Sequence, residues 1–258
     1  MFKGLFRRRQ TPSEPSAPRR FEGGLPKPEE TLAVVGDIHG QITCLDKLID
    51  KLEMQAPDAR WVFVGDFIDR GDYSSQVLAR LRALELERPD TICILGNHEE
   101  MMLAFLRDPE QAGNRWMRHG GLQTMASFGH FKLGVQNAPE ALRVARDQLL
   151  EVMPEGLEDW LASCPRWFKN GNVVVVHAGA DPDRPMEEQK DQALTWGHPA
   201  FGKQAREDGL WVVHGHTVVT LPQEKNGVIS VDTGAYATGK LTAVVIANGN
   251  AEFVQATA

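Results

Sequence analysis

Cysteine is scarce and unpatterned. Cys44, Cys93 and Cys164 are an odd three with no CxxC spacing. That argues against a disulfide framework and points to reduced thiols in the cytoplasm, each a small core residue. The first twenty residues, MFKGLFRRRQTPSEPSAPRR, lack a continuous apolar segment long enough for a signal peptide or a membrane span. Excess basic charge is missing outside them. The formal charge is −7, and those twenty residues carry +5, which leaves −12 on the body. Affinity for a phosphate backbone comes from Lys and Arg, so an acidic body is not expected to bind nucleic acid and instead suits cations. No repeat of solenoid length is present.

Residues 1–30 read as a basic, Pro-rich, disordered tail. Met1, Phe2, Leu5 and Phe6 beside Arg7, Arg8 and Arg9 offer the lesser alternative of contact with an anionic membrane surface. Residues 31–258 suffice for one large domain. In it an apolar run, a turn and a helical pattern recur: TLAVVG, RWVFVG and TICILG, each followed by helical periodicity. This is the β-α-β signature of a sheet with a parallel core. Residues 115–164 read as an inserted helical cap. Strands then return in NGNVVVVHAG, GLWVVHGH, GVISVD and LTAVVIANGNAEFV, with a hairpin turn at Asn248-Gly249-Asn250. The expected class is α/β: a central two-sheet β-sandwich of mixed strands flanked by helices, with a helical cap.

Five polar clusters stand where apolar strands stop: GDIHG (36–40), GDFIDRG (65–71), GNHEE (96–100), HAG (177–179) and HGHT (214–217). In parallel neighbours such clusters converge on one edge of a sheet. Convergence would gather Asp37, His39, Asp66, Asn97, His177 and His216, two carboxylates, one amide and three imidazoles. Buried acids repel one another unless a cation lies among them. Mixed carboxylate and imidazole ligation suits manganese, iron or zinc, and a shared carboxylate can hold two ions about 3.5–4 Å apart. Two divalent transition-metal ions are therefore expected, manganese first, with iron or zinc as alternatives.

Taken in order, these five motifs resemble the metallophosphoesterase superfamily and, within it, the bacterial phosphoprotein phosphatases of the serine/threonine type. The resemblance covers roughly residues 31–247, and Asp69-Arg70 in GDFIDRG is its most specific part. It implies that Asp37 and His39 hold a first metal, that Asp66 bridges, and that Asn97, His177 and His216 hold a second. It implies further that His98 is the general acid, Asp69 its orienting partner and Arg70 a phosphate clamp. A histidine-fixing carboxylate favours imidazolium, which suits a proton donor to a leaving alkoxide. Val218 stands where the wider superfamily often has a further histidine, as in the phosphatase branch. One position departs: His198 follows Trp196 by two residues where bacterial relatives carry a second phosphate-binding arginine. His198 is then a weaker phosphate contact, with Lys203 and Arg206 as candidates to supply the charge.

The activity implied is hydrolysis of phosphoprotein monoesters, on Ser/Thr or Tyr, by a water activated between two metals. The alternative is a symmetrical dinucleoside tetraphosphate hydrolase. Such enzymes typically show Ala where Asp69 stands and Asp where Glu99 stands, so both positions favour the phosphatase. A second alternative is a weakly catalytic phospho-binding protein, which the intact ligand set and His98 disfavour.

Overall fold

The computed structural model describes residues 19–129 and 131–258. Strands β1 (Leu32–Val35), β2 (Arg60–Phe63) and β3 (Ile92–Cys93) are each followed by a helix: α1 (Ile42–Gln55), α2 (Ser74–Glu87) and α3 (Asn97–Arg107). Helices α4 (Pro109–Trp116), α5 (Leu122–Phe128), α6 (Pro139–Val152) and α7 (Leu157–Ser163) come next. The chain continues through β4 (Trp167–Asn170), β5 (Val173–Val176), α8 (Asp191–Trp196), β6 (Trp211–His214), β7 (Gln223–Lys225) and β8 (Val228–Ser230). It closes with α9 (Ala235–Thr238), β9 (Lys240–Ala247) and β10 (Asn250–Thr257).

Two five-stranded sheets result, in the orders β10-β9-β1-β2-β3 and β4-β5-β6-β8-β7. Each has a parallel core of three strands, β1, β2 and β3 in one and β5, β6 and β8 in the other. Antiparallel strands complete both sheets. This is the expected α/β sandwich. Alternation along β1 shows why it forms: Leu32 and Val34 pack between the sheets with Val173 and Val175, whereas Ala33 and Val35 join the helical layer with Leu45 and Leu48. Strands covered on both faces need no polar alternation, hence runs such as Val173–Val176. The expected hairpin joins β9 to β10, with Ala247 paired to Asn250. Its turn residues, Asn248 and Gly249, sit at φ 51° and 81°, the conformation that Asn-Gly favours.

Two expectations need correction. The helical stretch expected over 115–164 begins at Pro109, where proline opens a helix whose cap, Asp108, accepts the Gln111 amide at 3.2 Å. The cap is built into the body. Trp116, Met125, Leu142 and Leu161 share one apolar core with α1 and α2. Residues 1–18, with the expected membrane-surface contact, lie outside the described residues. Residues 19–30 form neither helix nor strand, yet they are held on the body. Phe21 packs edge-on against Trp211 at 4.8 Å, and Asn226, Asn172 and Asn170 accept the backbone amides of Phe21, Lys27 and Glu29. A disordered tail ending at residue 30 is therefore drawn too long. No helix among the described residues is long and apolar enough to cross a membrane.

Candidate metal centre

All six parallel strands deliver a polar residue just past their carboxyl ends. Asp37 follows β1, Asp66 follows β2 and Asn97 follows β3, while His177 follows β5, His216 follows β6 and Asp232 follows β8. Five of these clusters stand out in the sequence. The sixth, Asp232 in DTGAY, carries the same signature, an acid after an apolar strand, and belongs with them.

Asp66 is the hub. Its carboxylate is grouped with His39 and His98 on one side and with His177 and His216 on the other, the ligand atoms of each group lying within 4.8 Å of one another. His39 Nε2 is 3.6 Å from Asp66 Oδ2, and His177 Nε2 is 3.4 Å from Asp66 Oδ1. Asn97 Oδ1 stands 2.9 Å from His177 Nε2 and 2.8 Å from His216 Nδ1. Asp37 is buried but outside both groups, and both of its oxygens accept the His216 amide, at 3.1 and 2.9 Å. The structure thus gathers four of the six expected ligands, His39, Asn97, His177 and His216, about a fifth, Asp66, and sets Asp37 beside them, against His216.

The donor chemistry tests whether cations fit. Burial lowers the His39 pKa to about 3 and the His177 pKa to about 4, so both rings are neutral and carry one proton. That proton is committed: Nδ1 of His39 donates to the Ile68 carbonyl at 2.7 Å, and Nδ1 of His177 to the Val64 carbonyl at 3.0 Å. The two Nε2 lone pairs are left facing inward. His177 Nε2 meets Asn97 Oδ1, acceptor against acceptor, an arrangement that a cation satisfies. Burial, then Asp232 and Asp66, push the Asp37 carboxyl well above its usual range, and burial raises Asp232 to about 6. For Asp66 burial acts upward too, but the facing His177, His98 and His39 outweigh it and hold the carboxyl below its ordinary range. Crowded acids and inward lone pairs fit divalent ions.

The backbone is shaped for this convergence. Among the described residues, seven non-glycine residues have positive φ, and five of them are His39, Asp66, Asp69, Arg70 and His216. Such conformations cost roughly 1–3 kcal/mol each, so the surrounding hydrogen bonds must enforce them. Glu99 supplies several. Its carboxylate accepts the amides of Asp66 (2.8 Å), Phe67 (2.8 Å), Ile68 (3.2 Å) and Gly96 (3.0 Å), fixing the GDFID turn against the start of α3.

Beside the hub, His98 Nδ1 donates to Asp69 Oδ2 at 2.6 Å. Burial lowers the His98 pKa, but Asp66 and Asp69 outweigh it and the net direction is upward. Asp69 is itself gripped by Trp116 Nε1, at 2.9 and 3.1 Å, and by Thr124 Oγ1 at 2.6 Å. Nothing in the sequence marked Trp116 or Thr124, because both lie on helices far along the chain without a motif. Arg70 donates to His39 Nε2 at 3.2 Å and to His98 Nε2 at 3.1 Å, and its guanidinium lies over the Tyr236 ring at 4.7 Å. Tyr236 lies in DTGAY (232–236), a late motif of the family resembled, but the sequence does not reveal its contact with Arg70.

His198 takes a different place. Its Nε2 is 3.8 Å from Asp181 Oδ2, and the Ala200 amide approaches its Nδ1 at 3.4 Å. Arg206 is buried and spent on the Asp208 carboxylate and the Asp181 and Arg184 carbonyls, so it is not a free substitute for a phosphate-binding arginine. His214 packs on Phe201 and bonds Ser230 Oγ at 2.8 Å, away from the ligand groups.

The family model described as Calcineurin-like phosphoesterase matches residues 30–220. The bis(5'-nucleosyl)-tetraphosphatase PrpE (asymmetrical) of Oceanobacillus iheyensis is 29% identical over 234 residues, covering 81% of this chain and 86% of that protein. The symmetrical bis(5'-nucleosyl)-tetraphosphatase of Coxiella burnetii is 29% identical over 171 residues, 66% of this chain and 48% of its own length. A solved structure described as a putative diadenosine tetraphosphatase superposes with a TM-score of 0.61 at 22% identity, covering 93% of this chain and 99% of that one.

Proposed function

The chain belongs to the calcineurin-like phosphoesterase family, and from that premise we propose that it hydrolyses dinucleoside polyphosphates, with asymmetrical cleavage of a dinucleoside tetraphosphate as its reaction. The observation that carries the chemistry is Asp66, one carboxylate common to two histidine groups. Asp66, His39, Asn97, His177 and His216, with Asp37 alongside, would hold two divalent cations, which lower the pKa of a water and shield phosphate charge. The substrate class follows the relatives named tetraphosphatases rather than phosphoprotein phosphatases. Asymmetry fits Asp69 and Glu99, the two positions at which this sequence departs from the symmetrical pattern.

Arg70 reaches both sides of His98 and His39 with a planar pair of donors, which suits the oxygens of a phosphoryl group. Phosphate anhydride cleavage expels a weakly basic phosphate, which needs little protonation. The His98–Asp69 pair at 2.6 Å is more than that reaction demands, and it supports a second reading, hydrolysis of phosphomonoesters such as phosphoserine or phosphotyrosine peptides.

The test is direct. Manganese-loaded protein is assayed on diadenosine tetraphosphate, phosphoserine peptide and phosphotyrosine peptide, with products separated by chromatography. ATP plus AMP at the highest kcat/KM is expected. Two ADP would make the cleavage symmetrical, and a higher kcat/KM on either peptide would reverse the order of the two readings.

A further inference from the structure

A cavity of about 290 Å3 lies among α3, α4 and α8. Its walls are Glu100, Met101 and Ala104 on α3, Gln111 and Arg115 on α4, and Trp196 at the end of α8. Two of these walls grow out of the metal centre. Asn97 lies three and four residues before Glu100 and Met101, so it shares their face of α3. The loop leaving β5 is tied to α8 by the Ala178 amide, which donates to the Leu194 carbonyl at 2.8 Å immediately after His177.

The cavity also has a built platform. The Arg115 guanidinium lies over the Trp196 ring at 4.4 Å. The indole is pinned by Nε1, which donates to Glu100 Oε2 at 3.2 Å, and Glu100 is in turn approached by Arg166 Nη1 at 3.4 Å. Arg115 itself is exposed, and Trp196 is half-buried. A guanidinium stacked on an indole is a flat, polarisable, cationic surface of the kind on which nucleobases stack. Met101 adds apolar lining, Ala104 leaves room, and the carboxamide of Gln111 offers a donor and an acceptor to a base edge.

We propose that this cavity binds one nucleobase of the substrate, stacked on the Arg115–Trp196 pair while the phosphate chain reaches the metal centre. The assignment rests on the nucleotide reading above and deepens it. Asn97 to Ala104 spans about 10 Å of helix at about 1.5 Å per residue, a distance that a ribose and two phosphates cover. A phosphopeptide carries no base fixed to its phosphate through a ribose, so the platform would favour the nucleotide class.

The experiment compares ADP with pyrophosphate, which lacks the base, by calorimetry on the manganese-loaded full chain. Wild-type protein is expected to bind ADP about tenfold tighter, in line with base-stacking contributions. Ala104→Phe fills the cavity and should bring the ratio to about one, whereas Arg115→Ala removes the cationic upper layer but leaves the indole and should lower the ratio in part. The ratio within one protein is the readout, so a variant with generally weakened binding still reports. A fluorescence titration of Trp196→Phe, in which an aromatic surface is retained, should preserve the preference. Equal binding of ADP and pyrophosphate by wild type overturns the proposal, as does a preference that survives both Arg115→Ala and Ala104→Phe. An ADP preference abolished by Ala104→Phe in a protein that fails to cleave diadenosine tetraphosphate would keep the cavity and sink the proposed activity.

Discussion

Glu99 Oε2 accepts the Asp66 amide at 2.8 Å, so the residue shared by both ligand groups is positioned by a buried acid that belongs to neither. Burial and the adjacent Asp66 charge push the Glu99 pKa up to about 8, while four amide donors pull toward the carboxylate. Glu99→Gln keeps the shape but turns one acceptor into a donor aimed at backbone N–H groups. A destabilisation of about 1–3 kcal/mol is expected from the unsatisfied amides. Urea unfolding would read it, and manganese titration should show weakened binding; unchanged values in both would mean that the turn holds itself.

Removing the hub should remove the ions. Manganese reload of wild-type protein should give two ions per chain by metal analysis and raise Tm, because a ligand that binds only the folded state stabilises it. Asp66→Asn is nearly isosteric, and it should lose both the activity and the manganese-induced rise in Tm. One ion per wild-type chain would leave Asp66 an ordinary ligand instead of a shared one.

His98 and Trp116 separate the two substrate readings. His98→Asn should lower turnover of alkyl phosphates by about 10²–10⁴-fold and that of p-nitrophenyl phosphate far less, since nitrophenolate leaves without a proton. Trp116→Phe takes away one donor to Asp69 and should reproduce the same selectivity at smaller size, about 5–10-fold. Equal losses on both substrates would assign His98 a positional role.

Arg70 and Arg206 should fail in different ways. Arg70→Ala is expected to raise KM for phosphate esters, whereas Arg206→Ala, which breaks a partly buried bond to Asp208 and takes a donor from two carbonyls, should mainly lower stability. A steady-state KM and an unfolding midpoint on each variant suffice; a large KM effect in Arg206→Ala with unchanged stability would restore it as a phosphate ligand.

The three thiols should be silent. Cys44, Cys93 and Cys164 are buried and free, and burial pushes Cys93 and Cys164 well above the ordinary thiol range. Ellman's reagent at pH 8 should label essentially none in native protein and three after denaturation. Rapid native labelling would show that the core opens near these residues.

The candidate ligands were legible because strand ends announce themselves. A valine or isoleucine run stopping at Gly-Asp, Gly-Asn or His leaves no doubt about where a buried strand ends, and parallel packing then fixes which ends meet. Asp232 obeys the same rule after β8 and could have been read with the rest. Trp116, Thr124 and Tyr236 could not. Each sits on a helix whose approach to Asp69 or Arg70 depends on how layers pack, and helical periodicity carries no record of that. The anchoring of residues 19–30 was hidden for a similar reason: asparagine side chains 140 or more positions away accept their amides.

His177 hydrogen-bonds the Val64 carbonyl across 113 residues of sequence, and with it the first sheet's β2 meets the second sheet's β5. The centre is thus a seam. An ion held by Asp66 from one sheet and by His177 and His216 from the other would act as a rivet through two plates that otherwise adhere through apolar side chains. Because such an ion would bind only the folded arrangement, it would stabilise the two sheets as one unit. Manganese should therefore slow amide exchange in β2, β5 and β6 together, turning two sheets that can part separately into one cooperative block.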